Sequence, residues 1–86
     1  MSILQNAVLY NRVRGSMLYQ RIRDLREDRD LKQRDLARAL NCSQQVYSNY
    51  ELGQRDIPTE ILIALSKYYK VSVDYILGIS NNPHIQ

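Results

Sequence analysis

Four polar side chains near the middle of the chain have the types and the spacing to form hydrogen bonds with the edges of DNA bases. In a helix that turns about 100° per residue, they share one arc of about 140°. They are Gln44, Gln45, Ser48 and Asn49. Glutamine and asparagine can each make paired hydrogen bonds to N6 and N7 of adenine, worth about 1–3 kcal/mol of discrimination. Because Val46, Tyr47 and Tyr50 occupy a separate arc on the opposite side, the pattern predicts a helix that is buried on one face and reads bases with the other.

Two short helices joined by a tight turn are needed to hold this face in position. The first is predicted over residues 33–40. Its apolar face consists of Leu36, Ala37 and Leu40. Asn41 stands where the chain must reverse, and asparagine tolerates a positive φ better than most residues other than glycine. Ser43 is a suitable N-cap for a second helix over residues 44–51, which Gly53 is suited to end.

The helical pattern extends over residues 18–78. A first amphipathic helix of about three turns precedes the two already described. A fourth helix opens at Pro58, and Ser72 caps a short last helix that ends at Gly78. The apolar positions of the first and fourth helices are Leu18, Ile22, Leu25, Ile61, Leu62, Leu65, Tyr68 and Tyr69. Because no period-two strand pattern follows residue 16, we predict an all-α domain of five helices, with a helix-turn-helix motif at helices 2 and 3.

The chain divides into three segments. Residues 1–16 form an N-terminal extension of unknown role, whose spacing allows either a helix or a strand. A Gly-Ser break ends this segment, and Met17 is a plausible natural start. We expect the helix-turn-helix domain to span residues 17–79 and residues 80–86 to form a polar tail.

Composition argues against several other classes of protein. Charged residues make up 24% and hydrophobic residues 44% of the chain, as in an ordinary soluble globular domain. No apolar run approaches the roughly 18 residues that a membrane span needs. A single cysteine rules out a disulfide framework and a cysteine-based zinc site. We therefore expect a cytoplasmic protein with no membrane partner, metal, cofactor or small-molecule ligand, whose net charge of +3 is compatible with binding DNA.

Catalytic constellations are essentially absent, so we do not expect an enzyme. His84 is the only histidine and lies in the tail, where we expect it to be solvated. Cys42 has no histidine near it, and we expect it to fill a small gap in the core. The carboxylates lie at ion-pairing positions on helix surfaces, such as Arg23 with Glu27 and Asp35 with Arg38.

The seven tyrosines could form a stacking surface for nucleic acid. However, a chain without phenylalanine or tryptophan must use tyrosines in its core. Those that fall mostly on apolar faces, and are expected to be core residues, are Tyr47, Tyr50, Tyr68, Tyr69 and Tyr75.

Residues 21–78 resemble the lambda-repressor-like (XRE-type) helix-turn-helix family. The matching pieces are Arg21-Ile22-Arg23-Asp24-Leu25-Arg26-Glu27, Gln33 with Leu36-Ala37, Ser43-Gln44-Gln45, Tyr50-Glu51-Leu52-Gly53 and Val71-Ser72-Val73-Asp74-Tyr75-Ile76-Leu77-Gly78. The resemblance implies a regulator that binds double-stranded operator DNA as a dimer and usually represses transcription, with the second motif helix in the major groove. The pair Gln44-Gln45 is similar to the start of the recognition helix in some lambdoid phage repressors, where such glutamines contact base edges.

Four positions depart from the family pattern. Asn41 replaces the usual glycine, which the left-handed conformation accommodates. Lys32 stands where Ser or Thr commonly caps the first motif helix, so a weaker cap is expected. Tyr47 replaces the usual Ile or Val of the core, which implies a repacked or partly exposed ring. Asn49 stands where Arg or Gln is frequent, so the family's base preference is not carried over to it.

The expected DNA contacts follow from these assignments. Gln44 and Gln45 are the first candidates for base edges, with Ser48 and Asn49 second. Gln33 is expected at a helix N-terminus, where side-chain and backbone N–H groups can meet a phosphate. The other phosphate candidates are Lys32, Arg34, Ser43 and Arg55. For each basic residue taken singly, a solvated surface position is an equally good interpretation.

A C2 homodimer is the expected assembly, because half-sites about 34 Å apart match two recognition helices on one face of DNA. The candidate interface residues are Ile63, Tyr75, Ile76 and Ile79. Residues 1–16 are a rival for the dimer interface, since their apolar side chains could pair between subunits.

An alternative function is a protein-binding helix-turn-helix module such as an antitoxin. A long apolar extension outside the motif would favour it, and residues 1–16 are the only candidate.

Overall fold

Five α-helices follow one another through residues 20–85, the part of the chain that the computed structural model describes. They are α1 Gln20–Asp28, α2 Gln33–Ala39, α3 Gln44–Leu52, α4 Thr59–Tyr69 and α5 Val73–Ile76. These described residues contain no strand, and none of their helices is long and apolar enough to cross a membrane. Within residues 20–85, the prediction of an all-α fold with five helices is confirmed. The predicted extension 1–16 and the apolar position Leu18 lie outside the described residues.

Side-chain and backbone caps set the ends of the motif helices as the sequence predicts. The Ser43 hydroxyl accepts a hydrogen bond from the Val46 amide at 3.1 Å, which caps the first turn of α3. Asn41 has a φ of 57°, the left-handed conformation that the reversal between α2 and α3 requires. Gly53 ends α3 with a φ of 72°, and its amide donates to the Tyr50 carbonyl.

The start of α2 is capped by a residue other than the expected one. Lys32 occupies the N-cap, but a lysine side chain has no acceptor for the amides of the first turn. Instead the Asp35 carboxylate accepts a hydrogen bond from the Lys32 backbone amide at 2.8 Å. The predicted ion pair of Asp35 with Arg38 is therefore wrong, because the nearer backbone amide takes the carboxylate. The predicted pair Arg23–Glu27 is confirmed, with 3.3 Å between Nε and Oε2.

The core brings together apolar side chains from all five helices and their connections. Its buried members are Ile22, Leu25, Leu36, Ala37, Leu40, Tyr47, Tyr50, Ile57, Leu65, Tyr69, Val71 and Ile76. Tyr47 is fully buried and meets Tyr50 edge to face, with 6.5 Å between the ring centroids. Of the two alternatives expected for Tyr47, a partly exposed ring is excluded, because the ring belongs to the core. Tyr68 is 44% exposed, so its assignment to the core is also wrong.

Ile76 cannot serve in a dimer interface. Its side chain is 1% exposed and belongs to the core, which corrects the prediction that it lines an apolar surface patch. The other candidates remain accessible to different degrees. Ile63 and Ile79 are exposed, and Tyr75 is half-buried.

The polar segment 80–85 folds back on the helices. The Arg21 guanidinium donates to the Tyr75 and Ser80 carbonyls at 2.9 and 3.0 Å. The same group stacks on the Tyr75 ring, with 4.1 Å between Cζ and the ring centroid. The Ser72 amide donates to the Pro83 carbonyl at 2.8 Å. This segment therefore closes the junction between α1 and α5.

Candidate nucleic-acid interface

The turn between α2 and α3 fixes the direction in which α3 leaves the core. The Asn41 amide donates to the Arg38 carbonyl at 3.2 Å, and the Cys42 amide donates to the Ala37 carbonyl at 2.9 Å. These bonds satisfy carbonyls at the end of α2 that would otherwise lack partners. Cys42 packs partly buried against the core, as expected, and this burial raises the pKa of its thiol. The turn is therefore part of the packed structure.

The four predicted base-reading residues lie on the outer face of α3. Gln44 and Gln45 are exposed, and Ser48 and Asn49 are half-buried. On the inner face, Tyr47 and Tyr50 are buried in the core. The structure thus brings the four polar side chains to one surface. In addition, the Gln45 side-chain amide donates to the Asn49 side-chain carbonyl, with 3.1 Å between Nε2 and Oδ1.

An ion pair between α1 and α3 holds α3 from beneath. Arg26 and Glu51 form a two-pronged contact, with 2.6 Å from Nε to Oε2 and 3.1 Å from Nη2 to Oε1. Their side chains are only 12% and 3% exposed. Arg26 also donates to the Leu31 carbonyl at 2.9 Å, in the connection that leads into α2. One guanidinium therefore fixes α1, α3 and the approach to α2 relative to one another.

The Glu51 carboxylate stays ionised in this site although it is buried. Burial alone would raise its pKa, but the groups that face it, Arg26, Tyr47 and Gln33, hold the pKa below the ordinary value. In return, the bond from Arg26 to Glu51 raises the pKa of the guanidinium against its own desolvation. Burial, reinforced by the nearby carboxylate, raises the pKa of Tyr47. The phenol therefore stays neutral beside a charged carboxylate.

Gln33, a predicted phosphate contact, is engaged by the same carboxylate. Its side-chain amide donates to Glu51 Oε1 at 3.1 Å, and the side chain is half-buried. The groups left for a phosphate are the second side-chain N–H and the backbone amides of Gln33 and Arg34, since the Asp35 amide already donates to the Lys32 carbonyl at 2.9 Å. This contact also brings the first turn of α2 next to the last turn of α3.

The predicted basic contacts stand, along the chain, close to the residues that form that junction. Lys32 and Arg34 are exposed on either side of Gln33. Arg55 is exposed in the connection that follows α3, four residues beyond Glu51. Ser43 is exposed at the other end of α3, where its hydroxyl caps the helix. Lys32 and Arg34 thus lie at the start of α2, Arg55 follows the end of α3, and Ser43 precedes its first turn.

Sequence reasoning missed Arg26 and Glu51 as residues of this site. Both fall within the matching family pieces, yet they lie 25 residues apart, beyond any local helical spacing. The only signal was their occurrence in those pieces.

A separate cleft of about 450 Å³ lies beside α5. Among its lining residues are Ser72, Asp74, Asn82 and His84. His84 is exposed, as expected, and its backbone amide donates to the Asn82 side chain at 3.1 Å. No cluster of three or more histidine, cysteine or acidic side chains that could hold a metal ion occurs within residues 20–85. The cleft shares no lining residue with the amide face of α3.

Comparison with known proteins assigns this arrangement to a family. The helix-turn-helix family model matches residues 22–76, which include all five helices apart from the first two residues of α1. The chain belongs to the lambda-repressor-like helix-turn-helix family. This confirms the resemblance and the fold class predicted from the sequence. No solved structure gives a significant match to the chain.

Curated relatives carry the same domain within longer chains. The uncharacterized HTH-type transcriptional regulator YobD of Bacillus subtilis (strain 168) is 37% identical over 67 residues, which cover 78% of this chain and 60% of YobD. The HTH-type transcriptional regulator ImmR of the same strain is 39% identical over 61 residues, 71% of this chain and 48% of ImmR. The cryptic phage CTXphi transcriptional repressor RstR of Vibrio cholerae is 35% identical over 64 residues, 74% of this chain and 58% of RstR. The chain thus spans less than two thirds of the length of each of these relatives.

Proposed function

We propose that this protein is a sequence-specific regulator of transcription that binds double-stranded DNA with α3 in the major groove. The observation that carries the proposal is the outer face of α3. It exposes Gln44 and Gln45 while Tyr47 and Tyr50 are buried on the opposite side. The relatives named as transcriptional regulators support the same activity. A buried inner face and an amide outer face are what a recognition helix requires.

The proposed contacts divide into two classes. Gln44 and Gln45 read base edges first, and Ser48 and Asn49 contribute beside them. The phosphate contacts are Gln33, Lys32, Arg34, Ser43 and Arg55. Phosphate contacts position a protein on the duplex without reading its sequence, whereas base-edge contacts provide the specificity.

Selection of binding sites from randomised double-stranded DNA, with the full chain, tests this proposal. We expect the protein to enrich a defined motif. A variant with both Gln44→Ala and Gln45→Ala should lose that preference and keep weak binding to any sequence, because phosphate contacts supply the non-specific affinity. Gln20→Ala is the matched control. Gln20 is an exposed glutamine on α1 that bonds to Asp24 at 2.9 Å, outside the motif. Equal losses on the selected site and on random DNA would contradict the base-reading assignment.

Repression is the proposed regulatory effect. It is supported by the similarity to RstR, which is named as a transcriptional repressor. The test places the selected site within a promoter that drives a reporter. Expression of the wild-type protein should lower reporter output, and the double glutamine variant should not. An increase in reporter output would contradict the proposal of repression but not the proposal of DNA binding.

We also propose that the active form is a C2 homodimer. Ile79 is 70% exposed and Ile63 is 45% exposed, so these apolar side chains are available to a second subunit, with Tyr75 half-buried. Sedimentation of the full chain, and of a chain that starts at Met17, separates this surface from a contact through residues 1–16. A dimer that survives the truncation supports the proposed surface, and one that is lost assigns the contact to the extension. Monomers that bind single half-sites tightly would contradict the dimer.

A further inference from the structure

Two of the proposed base-reading side chains are bonded to each other. The Gln45 side chain donates to the Asn49 side chain at 3.1 Å across one turn of α3. Gln45 is exposed and Asn49 is half-buried, so this bond lies at the surface of the reading face. Among the described residues, Gln44 has no comparable side-chain partner. The reading face therefore contains one separate amide and one coupled pair.

This bond changes the groups that each amide presents to DNA. An isolated primary amide offers two N–H donors on its nitrogen and an acceptor on its oxygen. Gln45 uses one N–H for Asn49 and keeps its Oε1 acceptor and its second N–H. Asn49 has its Oδ1 turned toward Gln45, so its Nδ2, on the other branch of the same planar amide, points away from Gln45. The pair thus presents an acceptor and a donor from Gln45, and from Asn49 two free donors beside an acceptor that is already engaged.

These patterns match different bases in the major groove. Adenine offers an N6 donor beside an N7 acceptor, which fits the remaining groups of Gln45. Guanine is the base that offers two adjacent acceptors, N7 and O6, and it fits the free donors of Asn49. An asparagine free to turn would instead present both groups and favour adenine. The internal bond is therefore expected to change the base that Asn49 prefers.

We propose that Gln45 and Asn49 act as one recognition unit, in which Gln45 reads an A·T pair and holds Asn49 as a donor that reads a G·C pair. The inference rests on the proposed DNA-binding function and deepens it. Each side chain restrains the other, so removal of one weakens the base preference at both positions. Two amides that bind independently would not behave in this way.

A double-mutant cycle measured by equilibrium binding tests the coupling. The four proteins are the full wild-type chain, Gln45→Ala, Asn49→Ala and the double variant. The probes are DNA duplexes of the selected site that carry each base pair in turn at the two positions. We expect the product of the two single-variant losses in affinity to exceed the loss of the double variant by about threefold or more, a usual size for coupled neighbours. The matched control is the same cycle with Gln44 in place of Gln45. Gln44 lies on the same face without a bond to Asn49. In this cycle the product of the two single-variant losses should therefore equal the loss of the double variant.

Asn49→Asp separates the direction of the bond from its mere presence. Aspartate keeps an oxygen that can accept from Gln45 and loses the two donors. We expect this variant to lose the G·C preference at the position that depends on residue 49 and to keep the A·T preference at the position that depends on Gln45. Circular dichroism at the binding temperature checks that each variant retains the helical content of the wild type.

The outcomes distinguish this inference from the proposed function. A selected motif with independent losses at the two positions, or with an A·T pair at the position that depends on Asn49, overturns the recognition unit and leaves the proposed function intact. Failure of the wild-type protein to enrich any motif overturns both. Coupled losses with A·T and G·C at the two expected positions support the recognition unit.

Discussion

Replacement of Glu51 by glutamine should destabilise the fold more than any other exchange of one carboxylate for its amide in the described residues. The change preserves the shape of the side chain and removes the charge that Arg26 faces at 2.6 and 3.1 Å. Because the two side chains are only 12% and 3% exposed, water cannot compensate the guanidinium that is left behind. Loss of one partner from a buried ion pair costs about 3–5 kcal/mol, and we expect about 3 kcal/mol because the amide oxygen still accepts one hydrogen bond.

This loss is a large fraction of the stability of so small a protein. A chain of 86 residues has a free energy of unfolding of roughly 4–13 kcal/mol, at about 0.05–0.15 kcal/mol per residue. For a domain of this size, each kcal/mol lowers the melting temperature by about 4–8 °C. We therefore expect Glu51→Gln to lower it by about 12–24 °C. Thermal and urea unfolding followed by circular dichroism measure both quantities.

Glu27→Gln provides the matched control. Glu27 pairs with Arg23 at 3.3 Å, but those two side chains are 51% and 55% exposed. An exposed pair of this kind contributes about 0.2–1 kcal/mol at most. If Glu51→Gln costs no more than Glu27→Gln, the Arg26–Glu51 pair does not hold α3 in place. A double variant, Arg26→Met with Glu51→Leu, should be more stable than Glu51→Gln, since it leaves no unpaired charge behind.

Three further predictions follow from the same structure. Folding lowers the pKa of Glu51, so its contribution to the free energy of unfolding is complete above the unfolded pKa of about 4.3 and is lost as pH falls through the folded pKa. In urea titrations from pH 7 to 3, the difference in unfolding free energy between wild type and Glu51→Gln should close only below about pH 4. A difference that closes near neutrality would contradict this. Arg55→Ala should weaken binding to all DNA sequences alike and reduce the slope of log affinity against log salt by about one unit. The control variant Lys67→Ala on α4 should leave the slope unchanged. An unchanged slope for both variants would assign Arg55 to the solvated surface. Asn41→Ala should lower the free energy of unfolding by roughly 1 kcal/mol because φ is 57° at this position, while Asn41→Gly should not lower it. Equal effects of the two variants in urea unfolding would show that the turn tolerates a Cβ.

Local chemistry explains which features the sequence predicts correctly. A serine cap and a left-handed asparagine act within three or four residues, so Ser43 and Asn41 could be assigned from their neighbours alone. The amide face of α3 follows from helical periodicity, which is equally local. Asp35 shows the limit of this reasoning. Its spacing to Arg38 suited an ion pair, but a backbone amide within the same turn competes for the carboxylate and wins.

Features that depend on tertiary packing could not be derived in this way. Arg26 and Glu51 are 25 residues apart, and only the fold places them in contact. Gln33 and Glu51 are 18 residues apart, so the hydrogen bond from the Gln33 side chain to this carboxylate was also hidden. Periodicity likewise fails for Ile76, because a helix of four residues completes little more than one turn and defines no face.

The inner and outer faces of α3 predict two separable kinds of variant. On the outer face, Gln44 and Gln45 are exposed and have little to do with the core, so their replacement should change DNA binding and leave the free energy of unfolding nearly unchanged. On the inner side, Tyr47 is fully buried and Glu51 is nearly so, and both belong to the structure that orients α3. Their replacement should reduce stability first, and should reduce DNA affinity only as far as α3 is displaced or unfolded. A plot of binding free energy against unfolding free energy for the four variants would therefore fall on two lines. A single common line would mean that the reading face and its support are not distinct.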